Sequence, residues 1–157
     1  MYLMFILKKL LWIAAKEFIR FKFPGVQTIA TSDLAAWLKR KDVDKPLLLD
    51  ARTPQEYAVS HLRGAKLIPA NLEELTCDRA KPIVVYCSIG YRSAATAKQL
   101  QTMGYQNIFN LEGSIFQWAN EQRPLYRGEK LSDRVHRYNW FWGYLLISAT
   151  KTILNSI

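Results

Sequence analysis

The sequence predicts an α/β fold with a mostly parallel central sheet flanked by helices. Short apolar runs rich in β-branched residues alternate with helical patterns, the order that builds parallel sheets. The run Ile83-Val84-Val85-Tyr86 is apolar without interruption, as expected of a strand buried on both faces. It leads into Cys87-Ser88-Ile89-Gly90-Tyr91-Arg92-Ser93 and then the helix-forming Ala94 to Leu100. A cysteine therefore stands at the C-terminal end of the central strand, where open α/β sheets bind ligands.

The elements follow in order. Residues 1–25 are apolar and basic. Lys9, Lys16 and Arg20 fall within a narrow arc of a helical wheel, and most of the rest is aliphatic or aromatic. Residues 1–23 read as a basic amphipathic helix suited to a membrane surface, or equally to packing on the domain. The lysines interrupt it too often for a clean span. A secretory signal is the weaker reading, because no positive charge precedes the first apolar run. Pro24-Gly25 marks a boundary. Val26–Ala30 predicts a short strand, and Ser32 an N-cap for a helix over 33–40. Leu47–Asp50 predicts a buried strand. Thr53-Pro54 opens a helix with proline in its first turn, and Lys66–Ile68 predicts another strand. A helix over 92–103 ends at Gly104, followed by a strand at 107–111 and a helix at 113–120. Residues 128–157 form a polar linker and then an aromatic, apolar segment, Tyr138 to Leu154. An interfacial C-terminal helix is expected there, or one paired with the N-terminal helix or docked on the core. Tryptophan and tyrosine gather at its start, as they do at membrane–water interfaces.

The Cys87 loop carries the chemistry. Loop and helix N-terminal N–H groups favour negative charge on sulfur, and thiols in such settings react as nucleophiles. Arg92 adds a permanent charge and a planar fork suited to an oxyanion. The bland alternative is a small apolar core cysteine. Gly90, which permits a tight turn, and Arg92 argue for reactivity.

These residues resemble the rhodanese (sulfurtransferase) family. Leu47 to Arg52 is similar to its apolar strand ending in Asp-x-Arg, and Thr53 to Tyr57 to the Glu-Tyr segment that follows. His61 to Ala65 resembles its Gly-His-Ile-x-Gly-Ala segment. Gly104-Tyr105 with Asn110 to Trp118 resembles its closing motif. The blocks run in family order from about residue 26 to 127, which implies a rhodanese-like three-layer domain between the two apolar ends. Ser60 and Ser114 stand where the family usually has glycine, which puts local backbone geometry in question.

The resemblance implies transfer of a sulfane sulfur through a Cys87 persulfide. Donors would be a small anion such as thiosulfate or a persulfide. Acceptors would be a small thiol, a thioredoxin-like protein, or cyanide in vitro. Cys87 and Arg92 would be catalytic, and Ser88, Ile89, Gly90, Tyr91 and Ser93 would cradle the donor. Arg52 would line the anion entrance or pair with Asp50, the structural pair being preferred. His61 would be structural. No cofactor is implied. The alternative is a non-catalytic binding or regulatory module, with or without a membrane tether. Phosphatase or arsenate chemistry ranks lower, because related phosphatase loops hold one more residue between Cys and Arg.

Composition narrows the partners. The net charge is +9. Residues 1–25 hold five Lys/Arg against one acidic residue, 26–127 thirteen against ten, and 128–157 four against two. There is no basic-aromatic repeat, zinc spacing or P-loop, so no nucleic-acid or metal site is expected. Cys77 reads as a bystander. A reactive thiolate is easiest to keep in a reducing compartment, which favours the cytoplasm or the cytoplasmic face of a membrane. A homodimer through the termini is the other use expected of the apolar ends.

Overall fold

In a computed structural model, residues 2–146 and 151–153 are described. One sheet holds five strands: β1 (Gln27–Ile29), β2 (Leu47–Asp50), β3 (Lys66–Leu67), β4 (Ile83–Tyr86) and β5 (Ile108–Leu111). All neighbours are parallel, in the order β1-β5-β4-β2-β3. β4 is central and fully buried. Its alternation sorts the core into two layers. Val84 and Tyr86 face a cluster with Leu34, Ile115 and Phe116. Ile83 and Val85 face one with Leu49, Ala97 and Leu100. Helices α2 (Thr31–Lys39) and α5 (Ser114–Asn120) thus cover one side, and α4 (Tyr91–Thr102) the other. Helix α3 (Pro54–Val59) follows β2. Three short strands follow the sheet, β6 (Leu125–Arg127), β7 (Lys130–Ser132) and β8 (Arg134–His136).

Three expectations change. Helix α2 starts at Thr31, with extended Ala30 at its cap position and no side-chain cap bond, so Ser32 lies inside it. The Thr31 hydroxyl instead donates to Glu121. The expected helix over 113–120 begins at Ser114, with left-handed Gly113 at its cap position. The expected C-terminal helix is replaced by one helical turn, α6 (Trp140–Gly143), and a strand, β9 (Lys151–Ile153). Residues 147–150 and 154–157 lie outside the described residues. Asn139 caps α6 by accepting from the Trp142 N–H. β9 pairs in parallel with β8, and its β-branched Thr152 and Ile153 suit a strand better than a helix.

The N-terminal helix forms as expected, α1 (Tyr2–Lys22). Leu11 and Trp12 pack against the core, and Ile19 is buried within it. Leu3, Leu10 and Phe21 stay exposed on the opposite face. Among the described residues, no helix is long and apolar enough to cross a membrane.

At the end of β2, Asp50 and Arg52 form a fully buried ion pair. The carboxylate accepts from Arg52 Nε at 2.9 Å, from Nη2 at 2.7 Å and from the Arg52 backbone N–H at 3.0 Å. Nη2 also donates to the Ser60 carbonyl at 2.6 Å. Arg52 thus ties the end of β2 to the end of α3, while its Nη1 is buried with no partner among the described residues. Breaking one side strands a buried charge. Asp50→Ala should cost about 3–5 kcal/mol of stability, and Asp50→Ala/Arg52→Met distinctly less, as read from urea unfolding midpoints.

Candidate functional site

Cys87 leaves β4 directly, and its loop is gripped from below by the start of α5. The Ser114 hydroxyl accepts from the Cys87 N–H at 3.1 Å. The Ile115 and Phe116 N–H groups donate to the carbonyls of Cys87 and Ser88, each at 3.1 Å. Ser114 holds φ 50°, a left-handed conformation unusual for a non-glycine residue. Its hydroxyl makes that strain useful, because it also donates to the Leu111 carbonyl at 3.0 Å. Glycine there would relieve the strain and lose both bonds. Ser60, the other departure, has an extended backbone (φ −170°) that any residue adopts. Its buried hydroxyl finds no partner among the described residues.

The loop turns at Gly90, which has φ 115° and needs glycine for that reason. Its N–H donates to Cys87 Sγ at 3.2 Å. Asn110, at the end of β5, fixes the turn from the side. It donates to the Gly90 carbonyl at 3.0 Å and accepts from the Ser93 hydroxyl at 2.6 Å. Ser93 is fully buried, so its hydroxyl serves the loop and does not face a donor.

Arg92 is held by Glu56. Nη1 and Nη2 each reach one carboxylate oxygen at 2.8 Å, and Nη2 also reaches Ser88 Oγ at 2.9 Å. Ser88 in turn donates to Glu56 at 3.2 Å, so that hydroxyl is also engaged. Glu56 is locked by a capping box: Thr53 N–H to the carboxylate at 2.9 Å and Glu56 N–H to Thr53 Oγ1 at 3.2 Å. Burial pushes the Glu56 carboxyl up. The Arg92 and Thr53 hydrogen bonds, with the charges of Arg92 and Arg52, outweigh that and hold it down at about 2. Burial pulls Arg92 down, and its hydrogen bond to Glu56 together with the neighbouring charges, that of Glu56 among them, reverses this and leaves it raised.

The other expected residues are placed as follows. Ile89 and Tyr91 stand at the wall of a cavity of about 190 Å³ that reaches Cys87. Arg52 does not line that entrance: it is buried in the Asp50 pair. His61 stacks on Tyr57, with centroids 4.2 Å apart. Its Nε2 accepts from the Gly128 N–H at 3.2 Å, and its Nδ1 faces the Leu62 carbonyl at 2.9 Å. Both contacts bind it to the frame, not to the thiol. Cys77 is half-buried on the α4 side.

Three contributors had no role in the sequence reading. Glu56 was visible only as a motif letter, although Thr53-x-x-Glu56 is a capping-box signal. Asn110 was visible only as the first residue of the closing motif, with no role attached to it. The cavity walls come from α1 and from Tyr138 and Trp142, far from the loop in sequence.

The profile of the rhodanese-like domain matches residues 30–121. The chain belongs to the rhodanese-like family. The match lies inside the 26–127 expected from the motifs. A sulfurtransferase from Allochromatium vinosum is 36% identical over 89 residues, covering 54% of this chain and 81% of that protein. A tRNA uridine(34) hydroxylase from Erwinia tasmaniensis is 30% identical over 112 residues, covering 62% of this chain. The chain spans about a third (32%) of that hydroxylase's length. The structure of a rhodanese-related protein from Thermoplasma volcanium aligns with TM-score 0.56 at 31% identity, over 64% of this chain and 98% of that one. The rhodanese-like fold, with its parallel sheet and flanking helices, is therefore shared with proteins that include sulfurtransferases.

Glu56 makes the clamp pH-sensitive. Its carboxyl lies below the ordinary 4.5 when folded. The stability it contributes is therefore present above 4.5 and is lost as pH falls towards about 2. Glu56→Gln should flatten that part of the acid limb when urea unfolding is followed from pH 6 to 2.

Proposed function

We propose that this chain is a sulfurtransferase that carries sulfane sulfur on Cys87. The observation that carries the reading is the loop itself. A cysteine ends the central strand, a glycine N–H points at its sulfur, and only four residues separate it from an arginine. The thiolate attacks the outer sulfur of the donor, the donor's sulfur–sulfur bond breaks, and the electron pair leaves with sulfite or a thiolate. Cys87 then bears a persulfide, whose outer sulfur passes to an acceptor thiol in a second displacement. The Gly90 N–H and the N-terminus of α4 stabilise charge on sulfur in both steps. The similarity to the Allochromatium protein supports the reaction class. Thiosulfate, organic persulfides and small or protein thiols are the donors and acceptors this chemistry accommodates.

Intact-mass measurement tests the reading. Purified protein incubated with thiosulfate or glutathione persulfide should gain one sulfur atom, which a thiol removes. Cys87→Ser should gain none. A folded wild type that takes sulfur from neither donor would overturn the proposal, as would a Cys87→Ser variant with full transfer activity.

A further inference from the structure

Cys87 is 1% exposed, so a substrate reaches it through the 190 Å³ cavity. Most of that cavity is apolar: Phe18 and Ile19 from α1, Ile89 and Tyr91 from the loop, and Tyr138 and Trp142 from the tail. Tyr91 stacks on Phe18 with centroids 6.2 Å apart and meets Phe23 edge-on at 5.4 Å, which fixes α1 over the loop. Arg92 is the one charged residue of the lining, and Glu56 already takes both of its Nη groups. Tyr138 lies across the same guanidinium, 4.5 Å from ring centroid to carbon. Arg52 is likewise matched by Asp50. The cavity's one cationic side chain is thus neutralised before a substrate arrives.

A dianion entering such a cavity loses hydration and finds no spare cation. A small organic group loses little and gains contact with the walls. Apolar cavities of about 150 Å³ admit a benzene ring, so the space suits an aryl-sized or short alkyl group. We propose that this cavity selects sulfur carried on a small apolar group, as a hydropersulfide donor or a thiol acceptor, over sulfur carried on a multiply charged anion. This rests on the sulfurtransferase reading and narrows its substrates. In the loading step the Cys87 thiolate attacks the terminal sulfur of R–S–SH. A Cys87–S–SH persulfide forms, the donor's S–S bond breaks and R–S⁻ leaves with the electron pair. In discharge an acceptor thiolate attacks that terminal sulfur, taking it as R′–S–SH and restoring the Cys87 thiolate.

The test loads the full chain with phenylmethyl hydropersulfide, a donor of the favoured class, and follows its discharge by intact mass. The acceptors are phenylmethanethiol and 2-mercaptoethanesulfonate, each corrected for its thiolate fraction. Phenylmethanethiol should react about tenfold faster or more. Phe18→Ala and Trp142→Ala should each shrink that ratio, with circular dichroism checking the fold. Equal rates, or a ratio unchanged in both variants, would overturn the inference while leaving the sulfurtransferase intact. A protein that never loads sulfur would remove both.

A separate observation concerns the outer face of α1. Leu3, Ile6, Leu7, Leu10, Ile13 and Phe21 are exposed by 37–83% and recur at helical spacing on the side away from the core. Exposed Lys9 and Lys22 flank them, and the helix's single carboxylate, Glu17, is held by Arg20. Trp140 and Phe141, exposed by 78% and 52%, share a second cavity with Leu11 of α1. We infer that this face seats on an anionic bilayer surface. A second copy would bring the same positive charge, whereas acidic headgroups complement it. The chain should co-sediment with phosphatidylcholine vesicles containing phosphatidylserine and far less with phosphatidylcholine alone. Leu10→Glu/Ile13→Glu, which leaves the Cys87 cavity untouched, should abolish binding. Absent binding, or binding undiminished in the variant, would overturn the inference. So would a dimer seen by light scattering that the variant dissolves, which would assign the face to a second copy.

Discussion

Glu56 takes two hydrogen bonds from Arg92, one from Ser88 and one from the Thr53 backbone. Its side chain is almost wholly removed from water. An unpaired carboxylate so placed would be prohibitive, so Arg92 is fixed by the needs of a carboxylate that lies 36 residues earlier, on α3. The position of the loop, the conformation of Arg92 and the charge balance around the thiol all follow from that one acceptor. The cysteine sits in an environment whose positive charge is real but already shared.

A second constraint acts from the opposite side. The start of α5 has its own unsatisfied N–H groups, and two of them land on the carbonyls of Cys87 and Ser88. Ser114 completes the exchange by accepting the Cys87 N–H. Asn110 links the turn to Ser93. The carbonyls of Cys87, Ser88 and Gly90 and the Cys87 N–H are thereby satisfied by protein groups, while the Gly90 N–H faces the sulfur itself. A loop held this way changes little as sulfur is gained and lost, and that spares the reorganisation that catalysis would otherwise require.

Much of this was legible in the residues, and the reasons differ by element. β4 declared itself because a strand buried on both faces has no polar positions to blur it. Pro54 and Gly104 marked a helix start and a helix end because their backbone limits are local. The Cys87 loop was legible for the same reason. The partners of Arg92, Ser88 and Ser93 were not, since they arrive from positions separated by 36, 32 and 17 residues. The start of α2 lies at Thr31, one residue before the cap that Ser32 suggests, and Thr31 spends its hydroxyl on Glu121, a tertiary bond that local capping rules do not see. The apolar pattern of the tail suits a helix, and pairing with β8 decides otherwise over 151–153. α1 was apolar on nearly every side, so the sequence alone could not say which stripe would face the sheet.

Phe18 and Ile19 precede the family match and Tyr138 and Trp142 follow it. Cutting this chain at the boundaries of that match would isolate the rhodanese-like domain, residues 30–121. Here such a cut keeps the sulfur-bearing loop and its Glu56 clamp and discards the chamber above them. The transplanted piece would present Cys87 to bulk water. In this chain the unit that can be moved intact is larger than the unit that defines the family.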